Sequence, residues 1–102
     1  MSTEYHQYFI KNYSERLRLD GFTVHNIIED KEQVPKINGI QPTIYARDRT
    51  LERIIIVEPE DKYDENRDDL IQLKEYSRKN HQVSYWGFIT TDKTWNLIEN
   101  LI

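Results

Sequence analysis

The chain contains no cysteine, which excludes disulfides, thiolate chemistry and cysteine-built zinc sites at once. Glycine stands only at positions 21, 39 and 87, too sparse for a loop that cradles phosphate with backbone N–H groups. The longest apolar run, Ile54 to Val57, is far shorter than a membrane-spanning helix requires. The opening Met1-Ser2-Thr3-Glu4 is polar and carries no signal-peptide pattern, so a cytoplasmic location is the expectation. Ser14, Ser77 and Ser84 lie in no nucleophile elbow, which gives serine hydrolase chemistry no support. His6, His25 and His81 have no mutual spacing that makes a metal set and read as structural or surface residues.

With 102 residues, the chain fits one domain spanning residues 1–102. Only 37% of residues are hydrophobic and 31% are charged, so the core must be small, and the aromatic share of 12% partly compensates. The net charge of −4 argues against a constitutive duplex-DNA binder, which ordinarily presents a basic face. Lysine and arginine gather only locally, at Lys11/Arg16/Arg18, Arg47/Arg49/Arg53 and Lys74/Arg78/Lys79.

The apolar periodicity predicts a helix over residues 3–20, with Tyr5, Phe9, Tyr13 and Leu17 on one stripe, Ser2 or Thr3 as its N-cap and Gly21 at its C-terminal end. Strands are expected over 22–28, 40–46 and 51–58, with a charged, Pro35-containing excursion over 29–38. Four aliphatics in a row, Ile54 to Val57, suggest a central strand buried on both faces. After an acidic connection, a second helix over 65–80 has Asp68 and Asp69 early and Lys74, Arg78 and Lys79 late, matching the helix dipole. Strands over 83–90 and 94–99, joined by a turn at 91–93, complete the order αβββαββ. A strand, helix, strand passage in a mixed sheet implies a right-handed crossover.

Three stretches resemble the restriction-endonuclease-like, or PD-(D/E)xK, nuclease superfamily over nearly the full length. The first is Gln41-Pro42-Thr43-Ile44-Tyr45-Ala46 followed by Ile54-Ile55-Ile56-Val57-Glu58. The second, Gln72-Leu73-Lys74-Glu75-Tyr76, is similar to the Gln-x-x-x-Tyr signature of the family's second helix. The third runs from Gly87 to Leu97 and looks like the family's strand-turn-strand ending in a Trp. The closest likeness is to the nuclease domain of type I restriction motor subunits. It implies an α/β fold with a mixed central sheet flanked by helices.

In an intact member, the Pro-Asp carboxylate and a carboxylate on the next strand hold Mg²⁺, and a Lys beside them serves the attacking water. Carboxylate oxygens converging from adjacent strands suit a hard divalent cation. Pro42 and Glu58 match, but Thr43 stands in the Asp place and Glu60 in the Lys place. The helix-one Glu of the family falls near Asn12, with Glu15 a turn later. Glu58 and Glu60, two apart on a strand, are expected on one face, where they could form a migrated Mg²⁺ pair or simply a solvated acidic strand end. Lys62 is either a displaced catalytic Lys or a solvated loop charge. Gln72 and Tyr76, with Lys74, would touch nucleic acid, Gln72 pointing towards Glu58 and Tyr76 towards the sheet; the bland alternative is helix packing. Trp86 and Trp95 read as packing residues, with Tyr45 and Trp86 as an alternative stacking surface for bases.

The function expected is a catalytically degenerate member of the superfamily, a binding or assembly module in DNA metabolism or defence. Two alternatives stay open: an active Mg²⁺-dependent endonuclease with a site rearranged around Glu58, Glu60 and Glu15, and a protein-interaction domain without nucleic acid. Partners expected on these readings are nucleic acid, a protein or a second copy of the chain, and no membrane.

Overall fold

The computed structural model describes residues 2–91 and 94–97, the side chains of residues 2 and 3 excepted. Helix α1 (Ser2–Leu19) leads to β1 (Thr23–Asn26), β2 (Ile44–Arg47) and β3 (Glu52–Pro59). Helix α2 (Tyr63–Lys79) then carries the chain to β4 (Val83–Thr90) and β5 (Trp95–Leu97). Short 3-10 turns lie at Lys31–Gln33 and Glu60–Lys62. The αβββαββ order and the mixed sheet expected of a restriction-endonuclease-like core are both present. The strands lie in the order β1-β2-β3-β4-β5, with β3 and β4 parallel and every other neighbouring pair antiparallel. The parallel pair needs a crossover, and α2 supplies it.

Helix α1 forms because its apolar positions recur once per turn, and it stops where Gly21 adopts φ 97°. There the Phe22 N–H donates to the Leu17 carbonyl (3.1 Å) and the Gly21 N–H to the Arg18 carbonyl (3.0 Å). This is the Schellman arrangement, and Phe22 packs on the cluster containing Leu17, completing its hydrophobic contact. Capping by Ser2 or Thr3 concerns side chains outside the described residues. So do the Asp92-Lys93 part of the predicted turn and the predicted extension of β5 to Glu99.

Strand β3 divides the core. Ile55 and Val57 face α1, packing with Phe9, Ile10, Leu17 and Phe88. Ile54 and Ile56 face α2, packing with Leu70 and Leu73. All four aliphatics are buried, as expected of a central strand, and Ile44 sits opposite Ile55.

Three elements differ from expectation by two residues or more at one end. β1 is shorter than 22–28 because the buried Asn26 turns the chain: its Oδ1 accepts from the N–H groups of Ile28 (3.0 Å) and Glu29 (2.8 Å). β2 starts at Ile44, not Ile40. Pro42 has no N–H for a ladder, and Asn38 (φ 55°) with Gly39 (φ 83°) forms a left-handed turn that bridges Ile37 to Ile40. Helix α2 starts at Tyr63, two residues before Glu65, directly after the 3-10 turn.

Candidate functional site

Beyond Ile44 the ladder between β2 and β3 ends, and a hollow of about 260 Å³ opens on the α2 side. The alternation of β3 points Ile54, Ile56 and then Glu58 into this side. Helix α2 contributes Asn66, Asp69, Leu70 and Leu73, whose spacing places them on one helical face. Thr43 and Gln41 close the remaining wall. The structure therefore brings Thr43 and Glu58 into one hollow, the pair the motif places together.

The chemistry of the pair is another matter. The Val57 N–H donates to Thr43 Oγ1 at 2.9 Å, and that hydroxyl lies 3.5 Å from the Val57 carbonyl. The Thr43 carbonyl accepts from the Ile27 N–H at 3.1 Å. Thr43, the residue before β2, thus ties the residue after β1 to β3, its hydroxyl standing in for a ladder bond that β2 no longer makes. Glu58 Oε2 accepts from Asn66 Nδ2 at 2.9 Å. Burial raises the pKa of Glu58 above its ordinary 4.5; the Asn66 bond pulls it back, and the nearby charge of Asp69 pushes it up again. No cation lines the hollow among the described residues.

That balance has a measurable sign. A carboxyl with a raised folded-state pKa penalises folding once it must ionise, so the penalty is absent below 4.5 and complete above the folded-state pKa. Glu58→Gln keeps an acceptor for Asn66 and removes the titration. In metal-free buffer its thermal midpoint should match the wild type below 4.5 and exceed it increasingly as pH rises. A gap that narrows with rising pH would mean that the folded state prefers the carboxylate.

Several expected site residues do not converge here. The same-face argument for Glu58 and Glu60 fails because β3 ends at Pro59 and Glu60 begins the 3-10 turn, exposed and outside the hollow. Glu15 lies on α1, across the sheet, and binds Arg18 at 2.7 Å. Asn12 lines a different hollow, beside α1. Lys62 extends towards Glu65, 3.8 Å away, rather than towards Glu58. Gln72 is exposed and does not line the hollow, since the sheet-facing positions of α2 are its neighbours Leu70 and Leu73. Tyr76 does pack against the sheet-side cluster, and Lys74 is half-buried with no ion pair among the described residues. Tyr45 and Trp86 cannot share a stacking surface: Tyr45 is opposite Ile54 on the α2 face, whereas Trp86 is level with Ile55 on the α1 face.

Sequence reasoning missed Asp69, Asn66 and Gln41 as neighbours of Glu58. The helical spacing of Asn66, Asp69 and Leu73 was a readable signal for one face, but which strand end that face meets was not. Tyr85, on the α2 face of β4, has a buried hydroxyl with no hydrogen-bond partner among the described residues, and burial together with Tyr63 and Glu58 raises its pKa. His25 and His6 serve structure: His25 Nδ1 lies 2.6 Å from Asp30 Oδ2, and His6 Nδ1 3.0 Å from Thr90 Oγ1.

A family Mg²⁺ would need carboxylates converging from two adjacent strands. The donors here are one strand carboxylate already bonded to an amide, one helix carboxylate, and a threonine whose hydroxyl is engaged. Among the described residues no group of three or more His, Asp or Glu side chains is gathered to hold a metal ion. The residues present do not fit the family's metal site.

Among solved structures, that of Hjc, a Holliday junction resolvase from the archaeal hyperthermophile Archaeoglobus fulgidus, is similar. The TM-score is 0.47 and the identity 13%, covering 88% of this chain and 72% of that one. No model of a known protein family matches the chain, and no curated protein matches it. No helix among the described residues is long and apolar enough to cross a membrane.

Proposed function

We propose that this chain is a PD-(D/E)xK-fold protein without the catalytic set, acting as a binding or assembly module in DNA metabolism or defence. One observation carries the reading. At the place where the family's first carboxylate would stand, the Thr43 hydroxyl is bonded to the Val57 backbone and has become part of the sheet. Two further features support it. Glu60 faces solvent on a 3-10 turn, and the hollow at Glu58 has acidic but no basic lining among the described residues. A scissile phosphate entering beside Glu58 and Asp69 would meet like charge, which at short range is worth about 4 kcal/mol per pair at an effective dielectric near 20. The finer likeness to type I restriction motor subunits belongs to the same proposal and rests on the three sequence stretches that resemble it.

The expected result is that plasmid and branched DNA incubated with Mg²⁺ or Mn²⁺ show no cleavage above a matched Glu58→Ala control. Cleavage by the unmodified protein that Glu58→Ala abolishes would establish the alternative, a rearranged nuclease. It would then have to be built on Glu58 and Asp69, the two carboxylates that share the hollow. Calorimetric titration with Mg²⁺ separates the cases further, because a degenerate site should give no saturable heat that Asp69→Asn removes.

A further inference from the structure

A hollow larger than the one at Glu58 lies on the opposite face of the sheet, between α1 and the β4–β5 edge, with a volume of about 450 Å³. Its walls are rings. Trp95 sits 5.5 Å from Phe88 in an edge-on contact and 5.7 Å from Phe9, and Tyr5 and Tyr8 pair at 6.0 Å along the helix. The inner rings are core, but the outer ones are not. Tyr8 is 61% exposed and Trp95 47%, an unusual commitment of large apolar surface to solvent in so polar a chain.

Cations stand among these rings. Arg16 on α1 and Arg53 on β3 both line the hollow, and neither forms an ion pair among the described residues. Both charges bear on the Tyr13 hydroxyl, opposing the effect of its burial. Arg53 lies over the Phe22 ring at 4.9 Å and the Trp86 ring at 5.9 Å, so its position is fixed by aromatic faces on two sides. Asn12 adds an amide, and Asp20 is the acid lining the hollow. In a protein of net charge −4, this is positive charge placed beside exposed aromatic faces.

We infer that the α1/β5 hollow is a binding site for an unpaired nucleotide of a single-stranded nucleic acid, with a base against Trp95 and Tyr8 and a phosphate at Arg16. The chemistry selects this occupant. An exposed aromatic face takes any base by stacking, and a guanidinium without a carboxylate partner takes the phosphate that accompanies it. An apolar ligand or a second apolar surface would leave the Arg16 charge desolvated without a counter-charge, which is costly. A concave, largely aromatic site with a few polar groups is also the usual form of a small-ligand pocket. The assignment rests on the proposed DNA-related reading only for preferring a nucleic-acid strand over a free nucleotide. It does not use Glu58.

The test is tryptophan fluorescence of the full chain, titrated with 5′-phosphorylated oligo-dT of about ten nucleotides at low salt, with thymidine 5′-monophosphate in a parallel arm. Trp86→Phe isolates the signal of Trp95. Saturable quenching by oligo-dT is expected, weakened about tenfold by Arg16→Gln and by Tyr8→Ala, both exposed positions whose folding is checked by circular dichroism. Trp95→Leu, read by the anisotropy of a fluorescein-labelled oligo-dT, should remove binding as well. Glu58→Ala should leave binding unchanged, so DNA cleavage in the earlier assay would overturn the degenerate reading without touching this one. Wild-type affinity in both Arg16→Gln and Tyr8→Ala, or no quenching at all, overturns the site. Equal affinity for the monophosphate overturns the strand assignment, and a concentration-dependent dimer lost in Trp95→Leu shows that a second copy occupies the hollow instead.

Discussion

Replacing Ile55 with Ala should lower the free energy of unfolding by about 2–5 kcal/mol, read from urea denaturation with an unchanged slope. Ile55 is fully buried in the middle strand of the sheet, opposite Ile44 on β2 and level with Trp86 on β4. Its side chain meets Phe9, Ile10 and Leu17 of α1, so truncation leaves a cavity that neither a strand held on both edges nor a capped helix can collapse into. In a chain with so little apolar content, such a loss is a large share of a small domain's stability. Arg49→Ala, in the exposed turn between β2 and β3, is the control and should change stability by less than about 0.5 kcal/mol. A loss at Ile55 no larger than the control's would mean that β3 is not the central strand.

Much of this fold was legible because local signals and burial agreed. The run Ile54 to Val57 has no polar residue to give to solvent, so it could only be a strand covered on both sides, and β4 occupies the predicted 83–90. Gly21 ended the first helix for the reason expected. The discrepancies arise where side chains substitute for backbone. Asn26 ends β1 by capping the next turn with its own amide, a role that an Asn inside an apolar stretch does not announce. The Asn38-Gly39 turn detains residues 37–40 in a small bridge, so the strand pattern that Ile40 seemed to begin is interrupted at Pro42.

The site was half legible for a related reason. Pro42, Thr43 and Glu58 could be placed together because both strands run regularly up to the point where they separate. Glu60 could not, because the two-residue rule holds only while a strand continues, and Pro59 ends it. The partners that α2 brings, Asn66 and Asp69, depend on the rotation of a helix about its axis. Asp69 read as a dipole complement of a helix starting at Glu65, whereas the acids of the first turn are Asp64 and Glu65.

Thr43→Val should destabilise the protein by about 1–3 kcal/mol although it keeps the shape and adds no charge. Thr43 is nearly fully buried, and its hydroxyl holds the Val57 N–H at 2.9 Å. That N–H lies two residues beyond Ile55, the last β3 residue paired with β2, so no backbone carbonyl of β2 takes it. Valine would leave a buried donor unsatisfied next to the central strand, the costly kind of loss, because water does not reach it. Amide hydrogen exchange gives the local reading: the Val57 N–H should lose protection in Thr43→Val by more than its neighbour Ile56. Thr43→Ser, which keeps the hydroxyl, should lose less than Thr43→Val, and the reverse order would mean that packing and not the hydrogen bond decides. The comparison reaches the function directly. A residue required at this place for sheet pairing explains how the position can persist without a carboxylate. If Thr43→Val is neutral in stability and in Val57 protection, the hydroxyl is free for a ligand, and the structural role assigned to Thr43 is lost.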